Sequence, residues 1–156
     1  MTSPASTVPL SSARGRWIVL ATVLGSTLSL LDGTVVTIAL PDIGTELGAD
    51  VSGLQWTVTG YTLTLAAFVL LGGSLGDRVG RRRIFVLGTV WFAVASVACG
   101  LAPNVEFLVA ARVVQGIGAA LVTPGSLAIL SASIDSKDRG AAIGLWSGFG
   151  GIGSAV

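Results

Sequence analysis

Five long apolar runs, separated by short polar segments, set the plan of this 156-residue chain. The first covers about residues 17–40, where Pro41 is expected to stop it. The others cover about 54–75, 84–101, 105–132 and 140–156. At 1.5 Å per residue the second alone reaches roughly 33 Å, enough to cross a hydrocarbon core of about 30 Å. A soluble bundle would show a polar face at helical period, and these runs largely lack one. The pattern therefore predicts an all-α, polytopic membrane protein. Residues 1–16 are small, polar and Pro-containing, which predicts a disordered tail. The run that follows the tail is too long for the apolar core of a signal peptide. The fifth run is still apolar at Val156, so the expected object is an incomplete amino-terminal bundle, cut within a helix.

Composition supports the same class. The chain is 52% hydrophobic and 11% charged, against roughly 25% charged in soluble domains. Eight of its nine basic residues are placed in alternation, and the ninth, Arg112, lies inside the fourth run. Arg14 and Arg16 precede the first run, Arg78 and Arg81 to Arg83 lie between the second and third, and Lys137 and Arg139 lie between the fourth and fifth. The intervening loops carry none. Under the positive-inside rule the amino terminus is cytoplasmic, in a multi-pass cell membrane protein. Basic residues divided among loops in this way do not form a nucleic-acid-binding face.

Several classes of chemistry are excluded. There is no His, and Cys99 stands alone, so neither a disulfide framework nor a metal site is expected. Gly148 to Gly153 formally matches GxGxxG, yet it lies inside a predicted span with no strand before it. The sequence predicts no cofactor and no enzyme.

Two ionisable residues do fall within spans, where charge is costly and usually functional. Asp32 and Arg112 each lie nine residues from a proline at the outer end of their run, about 13 Å deep. Runs one and four are antiparallel, so both residues reach similar depth from the same side. They are expected to face one polar cavity, paired directly or through water. Burial favours a neutral acid and a nearby guanidinium favours the carboxylate, and that balance is a basis for a proton switch. Gln115, one near-turn beyond Arg112, is expected on the same side of its helix. Small residues at four-residue spacing, among them Gly116, Gly144 and Gly148, predict close helix packing.

Three segments carry a family resemblance. They are Gly73-Ser-Leu-Gly-Asp-Arg-Val-Gly-Arg-Arg82, Arg112-Val-Val-Gln-Gly116, and Leu31-Asp-Gly-Thr-Val-Val-Thr-Ile-Ala-Leu-Pro41. With these the chain resembles the amino-terminal part of a major facilitator superfamily transporter, and more narrowly the drug:proton antiporters with 14 spans. Thr37 departs from the usual Asn of the third segment, and Gly76 from the commoner Ala of the first.

The resemblance implies a major facilitator fold exporting hydrophobic or cationic small molecules against protons. Its partners would be the lipid bilayer and a carboxy-terminal half of the same transporter. It implies that Asp32, Arg112 and Gln115 serve proton coupling and the substrate path. It also implies a cytoplasmic gate built on Gly73, Asp77, Arg78, Gly80 and Arg81, with Asp135 as a further partner. The alternatives are a same-fold carrier of an amino acid, siderophore or metabolite, and a non-transporting five-span scaffold.

Overall fold

The computed structural model describes residues 7–154 as five helices: α1 (Ala13–Glu46), α2 (Val51–Val79), α3 (Arg81–Gly100), α4 (Val105–Ser133) and α5 (Arg139–Ser154). Among the described residues, α1 to α4 are long and apolar enough to cross a membrane. Large apolar side chains such as Ile38, Leu63, Leu70, Val94 and Val97 point outward. An apolar exterior around internally bonded helices suits a bilayer, which offers backbone groups no partners. The chain is an all-α, polytopic membrane bundle.

Local chemistry sets the helix starts. Ser12, Asp50 and Asn104 each accept a bond from the backbone N–H three residues on, at 3.0, 2.7 and 2.9 Å. These satisfy donors that a helix start leaves open. Between α2 and α3 the chain turns on Gly80 alone, at φ 115°, a conformation that disfavours any side chain.

α4 is the central helix, packed most extensively on α2 and α3 and also on α1. Glycines make those contacts close. A Cβ added at Gly116 would lie 2.6 Å from the Tyr61 carbonyl oxygen, and one at Gly118 would lie 2.8 Å from the Phe92 nitrogen. Gly72 of α2 lies against the Ala120 carbonyl. Pro124, inside α4, deprives that carbonyl of its usual donor. The freed carbonyl thus ends up covered by a residue with no side chain.

The structure corrects several expectations. Pro41 does not end α1, which continues to Glu46. A proline removes one helical hydrogen bond, a loss that spanning helices tolerate without ending. The expected disordered tail is ordered over residues 7–12, while residues 1–6 lie outside the described residues. Val8 bonds to Ser133 O at 2.9 Å and receives the Asp135 N–H at 3.1 Å. Leu10 donates its N–H to the Asp138 carboxylate at 2.8 Å. Val8 and Leu10 also pack against a core of Val19, Val23, Leu130, Ile134 and Ala142. The segment read as a tail therefore carries the apolar and hydrogen-bonding groups that dock it.

Gly144 and Gly148 are not at a helix contact among the described residues, since a Cβ on either would meet nothing within 4 Å. α5 instead meets the bundle through Ala142 and Trp146, whose indole donates to Ser26 Oγ at 3.1 Å. Its glycine stripe faces away.

Candidate functional site

The four long helices bring together a polar cluster within the apolar bundle. Asp32 comes from α1, Thr57 and Tyr61 from α2, Ser96 and Cys99 from α3, and Arg112 and Gln115 from α4. Arg112 Nη1 meets Asp32 Oδ2 at 2.5 Å. The same nitrogen donates to Gln115 Oε1 at 2.6 Å, and Arg112 Nε donates to the Thr57 carbonyl at 3.3 Å. The guanidinium carbon stands 4.2 Å from the centre of the Tyr61 ring. Gln115 in turn donates from Nε2 to Asp32 Oδ1 at 2.8 Å and to Ser96 Oγ at 2.6 Å. Its Oε1 also accepts the Cys99 thiol at 3.6 Å.

Gln115 is thus the hub, using both ends of its amide at once. The arrangement resolves the choice between a direct and a water-mediated pair: Asp32 and Arg112 touch. The helical spacing of 112 and 115 places both side chains on the buried face of α4, where Arg112 is 1% exposed and Gln115 fully buried. A guanidinium buried so fully demands partners, because an unpaired charge there is very costly. Here it has a carboxylate, an amide oxygen, a backbone carbonyl and an aromatic face. Among the described residues no group of His, Cys, Asp and Glu could hold a metal ion.

The expected gate residues gather at one end of the bundle. Asp77 and Arg81, one turn apart across Gly80, pair at 3.0 Å with both side chains well exposed. Arg81 Nη1 also reaches the Ala128 carbonyl of α4 at 3.2 Å. Gly73 faces Pro124 of α4, at 3.7 Å from a hypothetical Cβ. Arg78 is exposed and forms no ion pair among the described residues. Asp135 likewise joins neither Arg78 nor Arg81; its backbone is tied to Val8 instead. The turn that carries Asp135 is drawn toward the amino-terminal segment, so the expected network reduces to Asp77, Arg81 and the end of α4.

Sequence reasoning missed Thr57, Tyr61 and Ser96 and gave Cys99 no role. Weak signals were present. Tyr61 is the single tyrosine of the chain. Thr57 and Tyr61 are four apart on α2, and Ser96 and Cys99 three apart on α3, so each pair shares one helix face.

The family model described as Major Facilitator Superfamily matches residues 22–156. The chain belongs to that superfamily. Major Facilitator relatives include the methylenomycin A resistance protein of Bacillus subtilis, 40% identical over 94% of this chain and 32% of its own length. The multidrug resistance protein Stp of Mycobacterium tuberculosis is 42% identical over 88% of this chain and 26% of its own. The tetracenomycin C resistance and export protein of Streptomyces glaucescens is 41% identical over 95% of this chain and 28% of its own. The chain thus spans about a quarter to a third of the length of these superfamily members.

Proposed function

We propose that these helices belong to a proton-coupled secondary transporter that exports hydrophobic or cationic drug-like compounds. The finer assignment is to the drug:proton antiporters with 14 spans, in the cell membrane, with the segment before α1 cytoplasmic. The observation that carries the reading is the buried Asp32–Arg112–Gln115 cluster, where one acid on α1 meets one fixed cation on α4.

The chemistry follows from the partners. When Asp32 takes up a proton its attraction to Arg112 falls. The guanidinium still keeps Gln115 Oε1, the Thr57 carbonyl and the Tyr61 ring. Protonation therefore loosens α1 from α4 without leaving a bare buried charge. That is the property a proton switch needs, since a two-state element must have two tolerable arrangements. With Asp32 ionised and drawn away from Arg112, a cationic substrate could compete for the same carboxylate. Exchange of a proton for such a substrate needs no ATP and no covalent step, and rocking of two bundles delivers each to its side.

Orientation has a structural counterpart. The amino-terminal segment, the α2–α3 turn and the α4–α5 turn, which hold eight of the nine basic residues, lie at one end of the bundle. The acidic α1–α2 connection lies at the other, where Gly53 packs on Val105. Asp77 and Arg81 then form part of a cytoplasmic gate whose opposite face comes from the carboxy-terminal half. The drug-like substrate class rests on the relatives, which are named for resistance to or export of such compounds.

The test is Asp32→Asn in the full-length transporter reconstituted in vesicles. Asparagine preserves the size and part of the hydrogen bonding but not the charge. Flux driven by a proton gradient should fall at least tenfold. Full proton-driven flux in the variant would sink the reading.

A further inference from the structure

A cleft of about 360 Å³ runs beside the polar cluster. Asp32, Cys99 and Arg112 lie at its floor, and Glu46, Leu47 and Ala102 lie toward the end away from the Arg81–Arg83 turn. Its lining residues come from α1, α2, α3 and α4, so the cleft needs no surface from a second bundle. Of the ion pair, Asp32 is the member more open to it. Asp32 keeps 16% of its side chain exposed, against 2% for Arg112. Asp32 and Glu46 are 14 residues apart on α1, so about 21 Å separates floor from mouth. At about 30 Å³ per molecule the space holds on the order of ten waters. Carboxylates at both ends and the half-buried Ser96 hydroxyl give those waters polar partners.

We infer that this cleft is a hydrated passage that carries protons between the outer face and Asp32, with Glu46 as the acid at its mouth. The inference rests on the proton-coupled reading above and adds the route. Arg112 from α4, the Tyr61 phenol from α2 and the Cys99 thiol from α3 surround Asp32; Glu46 is the further charged group lining the cleft, and Asp42 lies exposed one turn before it on α1. In the step itself a hydronium ion in the cleft gives one proton to an Asp32 oxygen. An O–H bond forms there, water is returned to the cleft, and Arg112 keeps its other partners. The proton thus enters through the inside of one bundle, and the substrate needs no share of that route.

Cys99 makes the passage testable without any transport assay. The full-length transporter, with Cys99 as its only thiol, is exposed in intact cells to a compact, membrane-impermeant cationic methanethiosulfonate. Cys99 should be modified from outside. Leu47→Trp on α1's side of the mouth and Ala102→Trp on α3's side should each slow that reaction at least tenfold, so either variant suffices if the other fails to fold. Modification only after the membrane is permeabilised overturns the passage, as does an unchanged rate in a mouth variant. A sealed Cys99 together with an inactive Asp32→Asn removes the route and leaves the coupling reading standing. An open cleft together with a fully active Asp32→Asn overturns the coupling reading and the proton role of the cleft together.

Discussion

Replacing Gln115 by Leu isolates what the hub of the cluster contributes. The two side chains are close in volume, so the change removes bonding with little change in packing. It deletes the bonds to Asp32 Oδ1, Ser96 Oγ and Arg112 Nη1, and the weak one from Cys99. Hydrogen bonds to charged groups contribute about 1.5–3 kcal/mol each in proteins generally. Double-mutant cycles between membrane helices average nearer 0.6 and reach about 1.7 kcal/mol. The lower scale applies here, since a helix pulled apart in lipid finds other partners. With two bonds to ions at about twice that mean, about 1.2 kcal/mol each, and one neutral bond near it, the loss is about 3 kcal/mol. That corresponds to a roughly hundredfold fall in the folding equilibrium constant. The assay is denaturant unfolding of the purified protein in mixed micelles, followed by tryptophan fluorescence. Ser96→Ala, which removes only the neutral partner, should cost about 0.6 kcal/mol. If Gln115→Leu lay within about 0.5 kcal/mol of the parent, the amide could not be the tie between α1, α3 and α4.

Other outcomes follow from the same geometry. Gly116→Val should lower stability by about 1–3 kcal/mol, because its Cβ would press on the Tyr61 carbonyl; Gly144→Ala, which meets nothing, should be near neutral by the same unfolding assay. Asp138→Ala should free the segment bound through Leu10, seen as faster amide exchange over residues 8–12 with α2 and α3 unaffected. The exposed Asp77–Arg81 pair should contribute no more than about 0.5 kcal/mol in a double-mutant cycle, so any large transport defect in either variant reports on the gate and not on folding.

The sequence made the membrane plan legible because apolar runs and the sign of loop charge are properties of composition over 20 residues. Asp32 and Arg112 were legible for a related reason, since ionisable residues within spans are rare enough to identify one another. Asp77 and Arg81 were legible through the loop segment that carries the family resemblance. What escaped the sequence depends on contacts between segments far apart in the chain. Val8 and Leu10 read as tail residues because their partners lie at 133–138. Pro41 read as a stop because proline usually ends a helix, whereas here α1 continues five residues beyond it. The glycine stripe of α5 has the right period for packing, but period does not say which face meets a neighbour. Thr57 enters through its backbone carbonyl, a group every residue possesses and no sequence pattern marks.

In the proposed coupling, Asp32 changes protonation when substrate binds beside Arg112. Proton release measured directly decides it: a transported compound is added to the purified full-length protein in weakly buffered detergent solution containing a pH indicator. The parent protein should release protons on binding, and Asp32→Asn should bind the compound without releasing any. Equal proton release from the two proteins would show that the switch lies elsewhere, and would leave the Asp32–Arg112 pair as a structural tie between α1 and α4.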